Sequence, residues 1–176
     1  MSQEPSLPAE SRDVTELSGR ITSWRDFGDR VSAAMAMAAA EPVSITMTDT
    51  NFVRWPLGQR SVMEAFQQWA VHGSSVVKCH VLSGTFEEFA RSHPRWLMWR
   101  ANWSHRVICQ EAPEELASQV RPMLVLHGRL GLRLVEERLG TGVWTRDPGV
   151  LSDWLSDCDA ISQRSHDGMP PTTLGL

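Results

Sequence analysis

The stretch from His93 to His105 holds the densest mixture of basic and aromatic residues in the chain. Arg95 and Arg100 lie within it, and a guanidinium group is a planar fork that matches the oxygens of phosphate and carboxylate. Together with either histidine, these two arginines predict a site for a phosphate-bearing ligand. The alternative is that the arginines are solvated or paired with acids, which is the usual state of surface arginine.

Three tryptophans of the same stretch, Trp96, Trp99 and Trp103, share one face of a helix at spacings i, i+3 and i+7. Aromatic residues at that spacing usually pack into a core. We therefore expect the stripe to be buried. Large exposed tryptophan clusters would instead indicate a surface that binds another protein, because tryptophan and arginine are enriched at binding hot spots.

A second stretch, from Leu126 to Trp144, has a histidine, His127, at the end of an apolar strand and a basic residue, Arg129, two positions later. The next strand ends in acids, and a glycine turn leads into a third strand. This order of parts resembles the active-site hairpin of the phospholipase D superfamily. That hairpin carries His-x-Lys, an aspartate five residues after the lysine, and Gly-Ser-x-x-Asn. In that family the histidine attacks phosphorus and the lysine binds the phosphate oxygens.

The resemblance implies His127 as the nucleophile, Arg129 as the phosphate clamp and Glu136 as the group that orients the histidine. The motif is incomplete in this chain. Arginine replaces the lysine, Leu134 occupies the place of the aspartate, and no asparagine follows Gly140-Thr141 at the family's distance. A nucleophile needs its base and its phosphate clamp in place. The sequence therefore favours a protein without catalytic activity.

Over residues 43–176 the chain also resembles a group of small proteobacterial proteins that share the phospholipase D-like fold without the full catalytic motif. The segments that carry this resemblance are Trp55-Pro56-Leu57, His93 to Arg100, Trp103-Ser104-His105 and residues 172–176. It implies a mixed sheet between helices and is compatible with a phosphate or nucleic-acid ligand. It transfers no catalytic residue.

The composition excludes several classes of protein. Among 176 residues, 17 are basic and 21 acidic, and a net charge of −4 argues against a nucleic-acid binder driven by bulk charge. Three scattered cysteines and the lack of an apolar leader predict reduced thiols in a cytoplasmic protein. The longest apolar run, Val31 to Ala40, is too short to span a membrane. Neither a paired metal-ligand spacing nor a glycine-rich phosphate loop is present, so we expect no metal and no cofactor.

Hydrophobic periodicity predicts alternating helices and strands over residues 21–162, between polar tails at 1–20 and 163–176. We expect a helix capped by Ser23, a second that opens on a Ser61 to Glu64 capping box, and a last one after Asp147-Pro148. Strands at 43–47 and 76–82 flank the second helix, which predicts a parallel pair joined by a crossover. The fold class is α/β: a single-domain mixed sheet with helices on both faces, phospholipase D-like.

The sequence is compatible with three functions, and the first is preferred. It is a non-catalytic binding or adaptor module for a phosphate-bearing ligand. Its candidate contacts are Arg54, Arg95, Arg100, His105, His127 and Arg129. The second is a phosphodiesterase or nuclease, which would have to be a homodimer because the family's chemistry uses two histidines and this chain carries one half-site. The third is a protein-interaction subunit of a bacterial complex.

Overall fold

The computed structural model describes residues 16–169, which form eight strands and six helices. The strands are β1 (Ser18–Ile21), β2 (Ile45–Asp49), β3 (Cys79–Ser83), β4 (Val107–Glu111), β5 (Met123–Leu126), β6 (Leu130–Glu136), β7 (Thr141–Thr145) and β8 (His166–Asp167). The helices are α1 (Trp24–Ala40), α2 (Arg60–His72), α3 (Phe89–Ser92), α4 (Pro94–Asn102), α5 (Glu114–Ala117) and α6 (Pro148–Ser162). All eight strands belong to one sheet, in the order β1-β7-β6-β5-β2-β3-β4-β8.

The centre of the sheet is parallel and its flanks are antiparallel. β2 lies parallel to β3, and β3 to β4, which confirms the predicted parallel pair around α2. On its other side β2 pairs with β5 in the antiparallel sense. The parallel and antiparallel parts of the sheet therefore meet between β2 and β5. The end of β5 lies beside the beginning of β2.

The core lies in two layers, one on each face of the sheet. Successive side chains of a strand point to opposite faces, so Ile45 and Met47 of β2 pack beneath α1 and α2 in the larger layer. The smaller layer joins Met123 and Val125 of β5 to Trp154 of α6. β2 is buried along its whole length. Helices therefore cover both faces of this strand, although apolar and polar residues alternate along it.

Two of the three predicted helix caps are confirmed. Ser23 Oγ accepts a hydrogen bond from the Asp26 N–H at 3.1 Å, and Asp147 Oδ1 accepts from the N–H groups of Gly149 and Val150. The capping box at the start of α2 is wrong. The helix already begins at Arg60, so Ser61 lies inside it, and Glu64 pairs with Arg60 at 2.8 Å instead.

The inner boundaries of both predicted tails are also corrected. β1 pairs with β7, and β8 pairs with β4. β1 contributes one core residue, Ile21, and β8 contributes none, so apolar periodicity does not detect these short edge strands. Residues 1–15 and 170–176 lie outside the described part. Within residues 16–169, no helix has the length and apolar character needed to cross a membrane.

Gly140 fixes the turn between β6 and β7 against the start of α1. Its φ is +70°, and a Cβ there would collide with the backbone nitrogen and ring of Trp24. We expect Gly140→Ala to lower the free energy of unfolding by about 2–3 kcal/mol, through backbone strain and displacement of Trp24. Urea denaturation measures this loss.

The matched control is Gly128→Ala. Gly128 has a φ of +73°, but nothing lies within 4 Å of a Cβ built there. This variant carries the backbone strain alone and should lose about 1 kcal/mol. Equal losses at the two positions would show that the Trp24 contact contributes nothing.

Candidate ligand-binding site

Three of the predicted ligand contacts come together at the edge of the sheet where β2, β3 and β4 begin. β5 ends at this edge and places His127 and Arg129 there, and the N–H of His127 donates to the Ser44 carbonyl at 3.0 Å. His105 precedes β4, and its carbonyl accepts from Lys78 Nζ at 2.9 Å. We name Lys78, His105, His127 and Arg129 the basic edge. The sequence alone does not predict Lys78 as a ligand contact, because its position beside these groups depends on strand order.

The basic edge follows four neighbouring strands, β5, β2, β3 and β4. Adjacent strands lie about 4.8 Å apart, so the backbone distance from the end of β5 to the start of β4 is about 14 Å. That length suits an extended ligand with more than one anionic group. The edge includes two cationic side chains and two imidazole rings.

His127 is held by a hydroxyl group. Its Nε2 is hydrogen-bonded to Thr46 Oγ1 at 2.8 Å. Burial lowers the pKa of His127, the charge of Asp159 opposes this effect, and nearby His80 adds to it. The imidazole is therefore mainly uncharged at neutral pH. The neighbouring arginine, Arg129, forms an ion pair with Glu41.

The structure separates Glu136 from the histidine that it was expected to orient. β6 starts next to His127 and ends at Glu136. A strand rises about 3.4 Å per residue, so the two residues lie about 20 Å apart along the hairpin. Leu134, at the place of the family's aspartate, is 1% exposed and belongs to the core. Within one chain Glu136 therefore does not reach His127, and the prediction that it orients this histidine is wrong.

The other three predicted contacts do not join the basic edge. Arg54 lies at the opposite edge, in the loop after β2, with its guanidinium over the Trp24 ring at 5.1 Å. Arg95 is exposed on α4. Arg100 is only 5% exposed and lies beside the Cys109 thiol. Arg100 shares the buried face of α4 with Trp96 at spacing i, i+4, so its guanidinium group lies against the core and not at the basic edge.

The tryptophan stripe is buried as predicted. Trp96 and Trp99 are buried and lie against Phe66, and Trp103 is half-buried. All eight tryptophans of the chain fall within the described residues, and each is buried or half-buried. An exposed tryptophan cluster was the observation that would have favoured a protein-interaction subunit, and the structure gives that function no such support.

The cysteines are packing residues. Cys79, Cys109 and Cys158 are free and buried. Burial raises the pKa of Cys109 and of Cys158 to about 12, so both remain protonated and poorly nucleophilic. Within residues 16–169, no group of three histidine, cysteine or acidic side chains is arranged to hold a metal ion.

Comparisons with known proteins find similarity in fold only. No family model matches the chain, and no curated protein matches its sequence. Among solved structures, the chain is similar to TrmBL2, an archaeal chromatin protein that binds DNA, with a TM-score of 0.63 and 14% identity over 90% of this chain. The chain spans 56% of the length of TrmBL2.

A second solved structure, Nuc from Salmonella typhimurium, is a member of the phospholipase D family. It is similar with a TM-score of 0.52 and 12% identity, over 85% of this chain and 95% of its own. At these identities the likeness concerns the fold. The chain has a phospholipase D-like fold, a mixed α/β sheet with helices on both faces, as the sequence predicts.

Proposed function

We propose that this protein is a non-catalytic binding or adaptor module that binds a phosphate-bearing ligand at the basic edge. One observation carries the proposal: adjacent strands place two cationic side chains, Lys78 and Arg129, on either side of the start of β2. Cationic donors along one edge attract phosphate oxygens and form charge-assisted hydrogen bonds with them. The ion pair between Arg129 and Glu41 is accessible, so a phosphate group can compete for the guanidinium.

The surroundings of His127 support binding rather than catalysis. Its partner is the hydroxyl of Thr46, whereas a nucleophilic histidine is usually oriented by a carboxylate. Leu134 is buried where the family has its aspartate. Both features remove a part of the hydrolytic machinery and leave the cationic groups of the basic edge in place.

DNA is the first ligand to test, because TrmBL2 is a DNA-binding protein with a similar fold. Fluorescence anisotropy of labelled single- and double-stranded oligonucleotides at low salt measures the affinity. We expect Lys78→Gln and Arg129→Gln each to weaken binding about five- to tenfold, since one phosphate contact is removed. The control is Arg95→Gln, an exposed arginine away from the edge. Equal effects of all three variants would contradict the proposal.

A phosphodiesterase or nuclease that acts as a homodimer is the second candidate. Burial holds the pKa of His127 below its usual value, and the uncharged imidazole is the form that attacks phosphorus. The test is hydrolysis of a generic phosphodiester by metal-free protein from acid to neutral pH, with His127→Ala alongside. Activity that disappears in the variant would establish an enzyme. A strict monomer in sedimentation would argue against it, because one chain carries one half-site.

We also propose a cytoplasmic location. All three cysteines are free and buried, which suits a reducing compartment.

A further inference from the structure

A cleft opens where β2 ends, at the edge of the sheet opposite the basic edge. Its volume is about 590 Å³, within the range of small-molecule sites. Asp49, the last residue of β2, lines this cavity, which we name the Asp49 cleft. The cleft lies outside the carboxyl end of β2, the strand at which the parallel and antiparallel parts of the sheet meet.

The carboxylate of Asp49 is buried beneath this cleft. The residue is 2% exposed, Trp55 Nε1 donates to its Oδ2 at 2.6 Å, and the Thr50 N–H donates to its Oδ1 at 2.5 Å. Burial, followed by the charge of Glu137, raises its pKa to about 7, against these hydrogen bonds. A carboxylate buried with so strong a perturbation, in a cleft, is typical of a functional group.

The walls of the cleft are fixed in place. Trp24 Nε1 donates to the Glu137 carbonyl at 2.7 Å and joins the β6–β7 turn to α1. Phe52, in the loop after β2, has a φ of 60°, and its carbonyl is hydrogen-bonded to His93 Nε2 at 2.7 Å. Walls held in this way form the cleft before any ligand arrives, which lowers the entropic cost of binding.

Three acids and two bases line the cleft. One of the acids, Glu88, pairs with Arg91 at 3.0 Å. The other four side chains are two acids, Asp49 and Glu137, and two bases, Arg54 and Arg138. Within residues 16–169, these four side chains take part in none of the ion pairs. A ligand of matching chemistry therefore carries one positive and one negative group.

We propose that the Asp49 cleft binds a small zwitterion of the amino-acid class, with its ammonium group between Asp49 and Glu137. Its carboxylate then lies against Arg54 and Arg138. An ammonium group placed between the two acids replaces their mutual repulsion with attraction and donates up to three hydrogen bonds. A metal cation is disfavoured, since the described residues contain no group of three suitable ligands. This site is separate from the basic edge, and its ligand is independent of the proposed function.

The indole N–H resonances of Trp24 and Trp55 report on this cleft directly, because both N–H groups donate to residues that line it. Each of the twenty standard amino acids is titrated at pH 8 to about 10 mM and followed by proton–nitrogen NMR. We expect at least one amino acid to shift both resonances and to leave that of Trp154, on the buried face of α6, unchanged. Its N-acetyl derivative and its decarboxylated amine should each bind about tenfold or more weakly, since each lacks one charge.

Two variants complete the test. Asp49→Asn keeps the shape of the side chain, and Arg138→Gln removes an exposed charge; each should weaken binding about tenfold. Arg20→Gln, an exposed arginine on β1, serves as the control and should bind as the wild type does. The proposal is overturned if no amino acid moves the two resonances. It is also overturned if the N-acetyl derivative or the Asp49→Asn variant binds equally well.

Discussion

Replacing Arg106 with alanine is expected to lower the free energy of unfolding by about 3–5 kcal/mol. Arg106 is 3% exposed, at the start of β4, and its guanidinium reaches the end of α2. Its Nη1 donates to the carbonyls of Ala70 and Gly73, and its Nε donates to that of Val77 at 3.1 Å. Alanine leaves these carbonyls without their donor and opens a cavity between helix and sheet.

The aromatic partner of Arg106 adds to this loss. The guanidinium lies over the Trp69 ring, 4.6 Å from its centroid, and Trp69 Nε1 donates to the Val43 carbonyl at 2.8 Å. One cation therefore connects α2, the segment before β3 and the beginning of β4. A desolvated cation–π contact contributes about 2 kcal/mol in favourable cases, so the hydrogen bonds and the ring together account for the predicted size.

Urea denaturation of Arg106→Ala and Arg106→Lys separates the contribution of the positive charge to stability from that of the planar guanidinium group. Lysine keeps the charge but offers a single nitrogen, so we expect it to recover less than half of the loss. Arg60→Ala, at the exposed start of α2, should remain within about 0.5 kcal/mol of the wild type. If Arg106→Ala resembled this control, the guanidinium would not hold these elements together.

The sequence predicts the elements well where a local pattern is enough. Ser23 and Asp26 are three residues apart at the start of α1, and the tryptophan stripe of α4 follows helical spacing. His127 comes directly after an apolar run, and the end of a strand is where the structure places it. In each case the deciding interaction lies within a few residues along the chain.

The prediction fails where strand order decides. Arg106 directly precedes β4, and its hydrogen bonds to Val77 and Ala70 join residues that are 29 and 36 positions apart. Arg54 and His127 are equivalent anion candidates in the sequence, yet the antiparallel pairing of β5 with β2 places them at opposite edges. Asp49 shows no signal at all, because its environment depends on Glu137 and on burial that only the folded sheet provides.

Relative to the wild type, the Asp49→Asn variant is expected to gain up to about 4 kcal/mol of stability as pH rises from about 4 to 8. Folding raises the pKa of Asp49 from 3.8 to about 7, mainly through burial. Between these values the folded protein holds a proton that the unfolded chain has released. The free energy of unfolding therefore falls as pH rises through this window, and the loss is complete above about pH 7. Asparagine carries no charge and shows no such fall.

The measurement is the difference in free energy of unfolding between wild type and Asp49→Asn at pH 5, 6, 7 and 8, with Asp153→Asn on the exposed face of α6 as control. The advantage of Asp49→Asn should grow across this range, while the control stays within about 0.5 kcal/mol of the wild type. A flat difference would show that the carboxyl group is not perturbed by burial. Together with the expected loss of zwitterion binding, a growing difference would mean that the chain keeps a destabilising carboxylate for its ligand. Stability and binding would then change in opposite directions at one residue, as at other functional sites.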